Sequence, residues 1–337
     1  MKQNLQTTHV IELQPRAASE DTAVTPQDIL EARKRLRGYV RHTPLEYSHG
    51  LSHAIGLPGY LKLESMQVTG SFKPRVSFNK LLTLTHDQRK NGVIASTAGG
   101  HGIGLSYAAG VLGVTCEIYL PQDADSRKVE VMRRQGARLT FFPSVREARL
   151  AALTAAEKTG RTFISAYNDP QIIAGGGTVG LEVLEDLPDV DLLVTGIGGG
   201  GLINGMAIAI KAANPNLCVW GVMPKNNPVL GKWLEAGRPV EVDTTESIAD
   251  GLGAHIETDS ITFTLGMQHI NRVILVSEQE IKDAMRWLLR EHQLIVEPSG
   301  AAPVAALLKI GPQKFNRAAV VITGRNISAD RYLQYIS

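Results

Sequence analysis

Residues 191–213 read DLLVTGIGGGGLINGMAIAIKAA, and this stretch decides the fold. A short run rich in Leu and Val leads into Gly198, Gly199, Gly200 and Gly201, and a helical pattern follows. The order is strand, glycine turn, helix. Consecutive glycines let a backbone approach a ligand closely, and successive N–H groups at a helix start form an anion nest. A phosphate suits such a turn. The P-loop pattern is absent, because no Lys-Ser/Thr pair follows the glycines. The dinucleotide pattern lacks its acidic residue on the next strand, which reads Gly221-Val222-Met223. A flexible turn with no ligand is the plain alternative. A phosphate without a nucleotide signature suggests a smaller phosphorylated cofactor.

The same alternation runs outward in both directions. VIAST (93–97), CEIYLP (116–121), RLTFF (138–142) and TFISA (162–166) read as strands upstream, and CVWGV (218–222), RVILV (272–276) and AAVVIT (318–323) downstream. Helical patterns cover 102–112, 126–137 and 145–158, and another follows Ser277, which forms a capping box with Glu280. Continuous apolar strands separated by helices imply parallel sheet covered on both faces, an α/β fold. The first ordered element is expected at TPQDILEARKRL, where Thr25 caps a helix, Pro26 suits its first position and Asp28 its positive end. The polar residues 1–22 are expected to form a loose tail, and they lack the apolar segment of a secretion signal.

Composition narrows the function. With 337 residues, 43% hydrophobic and 20% charged, the chain buries a large core. A net charge of +2 and the lack of a basic stripe exclude an electrostatic nucleic-acid binder. No apolar run approaches membrane-spanning length, so a cytoplasmic location is expected. Cys116 and Cys218 lie in apolar runs and form no metal-ligand cluster.

A second stretch supplies the chemistry. GSFKPR (70–75) follows the strand-like run 60–63 and places Lys73 in a turn rich in Gly, Ser and Thr. Alone, such a lysine reads as a solvated charge. It does not stand alone. GSFKPR resembles the lysine motif of fold-type II pyridoxal phosphate (PLP) enzymes, STAGGHG (96–102) their substrate-carboxylate loop, and the tetraglycine turn their phosphate cup. NDPQIIAGGGTVGLEV (168–183), SIADG (247–251), VEPSGA (296–301) and ITGRN (322–326) resemble further segments of the threonine dehydratase and serine racemase branch. The match runs from about Thr25 to the C-terminus, with the motifs in the same order.

The resemblance implies a tryptophan synthase β-like fold. A larger cofactor-binding domain would comprise residues 23–89 and 166–337, with a smaller domain, 90–165, inserted into it. It implies that Lys73 carries PLP and serves as the catalytic base, that Phe72 packs by the cofactor ring, and that Gly198–Gly201 with Leu202 hold the phosphate. Thr323 would face the pyridine nitrogen. Ser71, Thr97, Ala98, Gly99, Gly100 and His101 would contact the substrate, and Arg325 would add a charge to the pocket. Arg75 either braces the loop or lies on the surface. His101 reads equally as a structural histidine and Arg325 as a solvated charge, and Glu297 either sits near the cofactor edge or, the reading preferred here, is a helix-start carboxylate.

Four positions depart from the family pattern. Gly100 stands where Asn is usual, Gly176 where Gln is usual, and Gly324-Arg325 where Gly-Gly is usual. Met223 replaces a carboxylate that binds a cation in many relatives, so no metal is expected there. Gly100 and Gly176 are expected to widen the pocket. Racemases of the branch carry a serine at the position of Ala98, which cannot carry a proton. The expected activity is therefore elimination of a β-hydroxyl from a serine- or threonine-like L-amino acid, giving a 2-keto acid and ammonia. Racemisation, β-replacement, and PLP binding with little catalysis are the alternatives. A homodimer is the family default.

Overall fold

The computed structural model describes residues 10–16, 23–97, 99–253, 256–311 and 314–337. The strands are β1 (Val10–Glu12), β2 (Leu45–Tyr47), β3 (Gly59–Lys62), β4 (Val93–Ser96), β5 (Cys116–Pro121), β6 (Arg138–Phe142), β7 (Thr162–Phe163), β8 (Leu192–Gly196), β9 (Cys218–Pro224), β10 (Arg272–Val276) and β11 (Ala318–Val321). The helices begin with α1 (Pro26–Leu36), α2 (His49–Ile55), α3 (Lys73–Thr83), α4 (His86–Asn91), α5 (Gly100–Leu112), α6 (Ser126–Arg134) and α7 (Val145–Thr159). They continue with α8 (Pro170–Asp186), α9 (Gly201–Ala213), α10 (Val229–Ala236), α11 (Ile261–His269), α12 (Glu278–His292), α13 (Pro298–Ile310) and α14 (Ala329–Ile336).

Two sheets result, one in the order β1-β10-β9-β8-β11-β3-β2, the other β6-β5-β4-β7. Every pairing is parallel except at the two edges of the larger sheet, where β1 and β2 run antiparallel to β10 and β3. The central strands bury both faces, as their unbroken apolar runs predict. Val194, Val222, Ile274 and Val320 pack on one side with Leu288 and Val304, while Leu193, Val219, Val273 and Val321 pack on the other with Ile203 and Met206. The smaller sheet has its own core, in which Val93, Ala95, Ile118 and Leu120 meet Ile103 and Met132.

Local chemistry sets the helix starts. Thr25 accepts from Asp28 N and completes a capping box for α1, and Ser277 with Glu280 does the same for α12. Two expectations change. Residues 10–12, expected in a loose tail, form β1, with Ile11 buried against the larger sheet. α5 starts at Gly100, so Gly100 and His101 belong to its first turn and not to a preceding loop.

The glycines of 175–180 serve packing. A Cβ on Gly177 would lie 2.8 Å from Gly205 O, and one on Gly180 2.9 Å from Met206 O, so α8 and α9 lie almost backbone to backbone. A Cβ on Gly176 would lie 3.2 Å from Leu202 Cα. Gly176 therefore occupies a helix–helix contact, and its small size does not widen the pocket as expected. This packing fixes the start of α9 relative to α8 and, because a Cβ on Gly175 would lie 2.7 Å from Arg75 O, relative to α3.

Candidate active site

A cavity of about 220 Å³ lies between the two sheets, far larger than a single buried water requires. Ser71, Phe72, Lys73, Thr97, Gly99, Gly100, His101, Gly198, Gly199, Gly200, Gly201, Leu202 and Thr323 all line it. Of the remaining residues proposed from sequence, Ala98 lies outside the described residues. Arg325 does not line the cavity: it is exposed, and its side chain runs beside Gly70.

Lys73 is the first residue of α3, and Pro74 suits the helix start. The turn before it is held to the end of the sheet. Phe72 N donates to Thr323 O at 3.2 Å, Arg325 N to Gly70 O at 2.9 Å, and Asn326 Nδ2 to Thr69 O at 2.9 Å. Gly70 has φ +76°, a conformation other residues rarely adopt. On the other side Gly104 of α5 leaves room for the lysine, since a Cβ there would lie 2.6 Å from Lys73 Cβ. The ammonium sits 4.8 Å from the Phe72 ring centroid. Burial lowers the Lys73 pKa to about 8, with the charge of Glu297 opposing the shift.

Two helix starts converge on this amine. None of the backbone hydrogen bonds among the described residues is donated by Gly198, Gly199, Gly200 or Gly201, or by Gly100 or His101 in α5. Thr97 Oγ1 accepts from Gly99 N at 2.9 Å. A Cβ at Gly199 would collide with the Tyr167 ring, and one at Gly99 with the Lys128 side chain. Gly100 differs: a Cβ there would meet nothing within 4 Å, so the missing side chain leaves open space.

His101 is buried. Its Nε2 lies 3.2 Å from Ile164 O, which assigns the proton to Nε2. Burial, reinforced by the charge of Lys73 and opposed by the Ile164 carbonyl, lowers its pKa to about 3, so the ring is neutral at working pH. Its Nδ1, together with Ser71 Oγ and Ser96 Oγ, is buried without a partner among the described residues. Unsatisfied polar atoms are costly unless something bonds to them. With the free N–H groups at both helix starts, they give the cavity a donor and acceptor set that fits a phosphorylated, polar ring such as PLP.

The sequence reading left the place of Glu297 open between two readings and several other residues out of the site. Glu297 precedes α13 but makes no side-chain cap, and its carboxylate turns into the cavity. Burial raises its pKa to about 7, with Lys128 opposing and Asp250 adding to the shift. Lys128 Nζ lies 2.5 Å from Asp250 Oδ2 and 3.7 Å from Glu297 Oε2, joining α6 of the smaller sheet to the larger one. Tyr167 covers the glycine turn, and its hydroxyl donates to Glu257, which also pairs with Arg149. Arg146 and Arg149 of α7 also line the cavity. No local pattern assigns these residues a role, although Asp250 and Glu297 fall within quoted motifs. At the position of the family's cation ligand, Met223 Sδ accepts from Gly231 N at 3.3 Å.

Comparison with known proteins agrees with this geometry. Residues 36–324 match the family model described as "Pyridoxal-phosphate dependent enzyme". The chain is 41% identical to an L-threonine ammonia-lyase of Thermotoga maritima, covering 91% of this chain and 77% of that protein. It is 35% identical to an L-threo-3-hydroxyaspartate ammonia-lyase of a Pseudomonas species, covering 90% and 96%. Among solved structures, maize serine racemase superposes with a TM-score of 0.88 at 30% identity, covering 93% of this chain and 96% of that one.

Proposed function

The chain belongs to the pyridoxal-phosphate dependent enzyme family, in its threonine dehydratase and serine racemase branch, and from that premise we propose that it eliminates the β-hydroxyl of a serine- or threonine-like L-amino acid, releasing ammonia and a 2-keto acid. The observation that carries this reading is an amine of lowered pKa, Lys73, facing a cavity into which two helix starts direct free N–H groups. Bound PLP supplies an electron sink for the carbanion left when the α-proton departs.

The rest falls to side chains and backbone. Gly198–Gly201 and Leu202 hold the phosphate at the start of α9, where the helix end is positive. Phe72 and Thr323 position the ring. A neutral hydroxyl such as Thr323 does not hold a pyridine nitrogen protonated as a carboxylate would, which favours β-elimination over transamination. Thr97 and the start of α5 hold the substrate carboxylate. With a pKa of about 8, Lys73 has about a quarter of its amine neutral at pH 7.5, against about 0.1% for an ordinary lysine. It can therefore take the α-proton. The cleft between the sheets excludes water when it closes. The division into a larger domain and an inserted smaller one, a homodimeric assembly and a cytoplasmic location belong to the same reading. Among the described residues, no helix is long and apolar enough to cross a membrane.

Two measurements check this reading. In an amino-acid panel, turned-over L-substrates should give keto acid and ammonia without accumulating the D-isomer. D-isomer formed as fast as keto acid, by chiral chromatography, would replace elimination with racemisation. The second concerns Lys73. Its amine attacks the cofactor aldehyde only when neutral, so uptake of PLP by cofactor-free protein should accelerate as pH rises through about 8, followed by absorbance. The rate should level off above about pH 8; a rate still climbing about tenfold per pH unit beyond about pH 9, as an ordinary lysine would give, would contradict the lowered pKa.

A further inference from the structure

We propose that Arg146 selects a substrate whose β-carbon carries an acidic group, making β-hydroxy amino dicarboxylic acids the preferred class. This rests on the elimination reading above and concerns the part of the same cavity lined by α7. Four basic side chains line that cavity: Lys73, Lys128, Arg146 and Arg149. Lys73 is assigned to the chemistry. Lys128 is held by Asp250 and Glu297, and Arg149 by Glu257. Arg146 has no ion-pair or hydrogen-bond partner among the described residues.

Helix stability does not explain it. Arg146 is the second residue of α7, in the first turn, where the helix end is positive and a cation is disfavoured. Ser144 and Glu147 already supply that end with a cap and an acidic residue. Arg146 lines the cavity while remaining exposed to solvent, so its guanidinium is an unpaired charge with a planar donor fork, matched in shape and sign to a carboxylate. Space accompanies the charge. Gly100 is the cavity position where a side chain is missing and nothing fills the gap. The α-carboxylate is already provided for by Thr97 and the start of α5. A second carboxylate would therefore fall to Arg146. The role that the sequence offered to Arg325 belongs to a residue on the opposite unit, in the helix after β6.

The test compares wild-type holoenzyme with Arg146→Gln. Keto-acid release is measured from L-threo-3-hydroxyaspartate, L-serine and L-threonine. Wild type should favour hydroxyaspartate in kcat/KM by about tenfold or more, and Arg146→Gln should reduce that preference by about tenfold, chiefly through KM. Binding without turnover is read in parallel as the rise in Tm with succinate or butyrate, four-carbon acids with two carboxylates and one. Succinate should stabilise wild type more than butyrate, and the difference should vanish in Arg146→Gln. Turnover of serine or threonine with no dicarboxylate preference, or a preference and a succinate effect that survive the substitution, would overturn the proposal. Absence of keto acid from all three substrates would sink the elimination reading instead, and the succinate comparison would still decide the role of Arg146.

Discussion

Replacing Lys73 with Ala is expected to lower keto-acid release by at least about 10⁴-fold, because one side chain is assigned both attachment of the cofactor and removal of the α-proton. Alanine suits a helix start, and the close contact between Gly104 and the backbone and Cβ of residue 73 is preserved, so the fold should persist. The loss should therefore appear in kcat with an unchanged thermal transition. PLP should still enter, held by the N–H groups at the start of α9, but without covalent attachment. Borohydride reduction of wild type should fix the cofactor to the peptide containing Lys73 and leave Lys73→Ala unlabelled. Label recovered on Lys128, the other lysine in the cavity, or activity within about tenfold of wild type, would move the chemistry to a different amine.

The parts of this site legible in the sequence are those that local pattern encodes. Strand β10 coincides with the apolar run that announces it, because a strand buried on both faces must be apolar throughout; β5 and the largely exposed edge strand β6 also coincide with their predicted runs. The tetraglycine turn and GSFKPR are legible for a related reason: backbone conformation and close approach restrict which residues fit. The misreadings involve contacts between segments distant in sequence. Gly176 reads as lost pocket volume until α9 is seen packed against it. Glu297 reads in sequence as either a helix start or a residue near the cofactor edge, and only the tertiary structure decides for the cavity, with its carboxylate toward Lys128. Arg325 lies within a quoted motif yet does not line the cavity, as its solvated alternative has it, while Arg146, also exposed and far from every motif, does line it. Three-residue β1 is too short for its periodicity to register, and pairing with β10 supplies its order.

Arg75 offers the sharpest test of how stability and site are connected. Only 1% of it is exposed, which excludes a surface role and favours the bracing one. Its Nε and Nη2 contact the two oxygens of Glu64 at 2.9 Å each, and Nη1 and Nη2 contact Glu182 at 2.6 and 2.8 Å. Burial by itself would drive the proton from the guanidinium, but the two carboxylates outweigh it and raise the pKa. Removing the guanidinium strands charge unequally. Glu182 keeps Lys62 Nζ at 2.8 Å, whereas Glu64, fully buried, keeps only the Thr43 hydroxyl at 2.6 Å. Breaking a buried pair on one side costs about 3–5 kcal/mol, so Arg75→Met should move the urea midpoint down by the corresponding amount. Arg75→Lys should fall between, since an ammonium cannot fork to both oxygens. Arg75→Met combined with Glu64→Gln should recover much of the loss by removing the stranded charge. Because Arg75 lies in the first turn of α3, two residues after Lys73, the single variant should also bind PLP more weakly, and the double variant should regain part of that affinity. A destabilisation below about 1 kcal/mol, or a double variant no better than the single, would mean that the ion cluster does not hold the start of α3 in place.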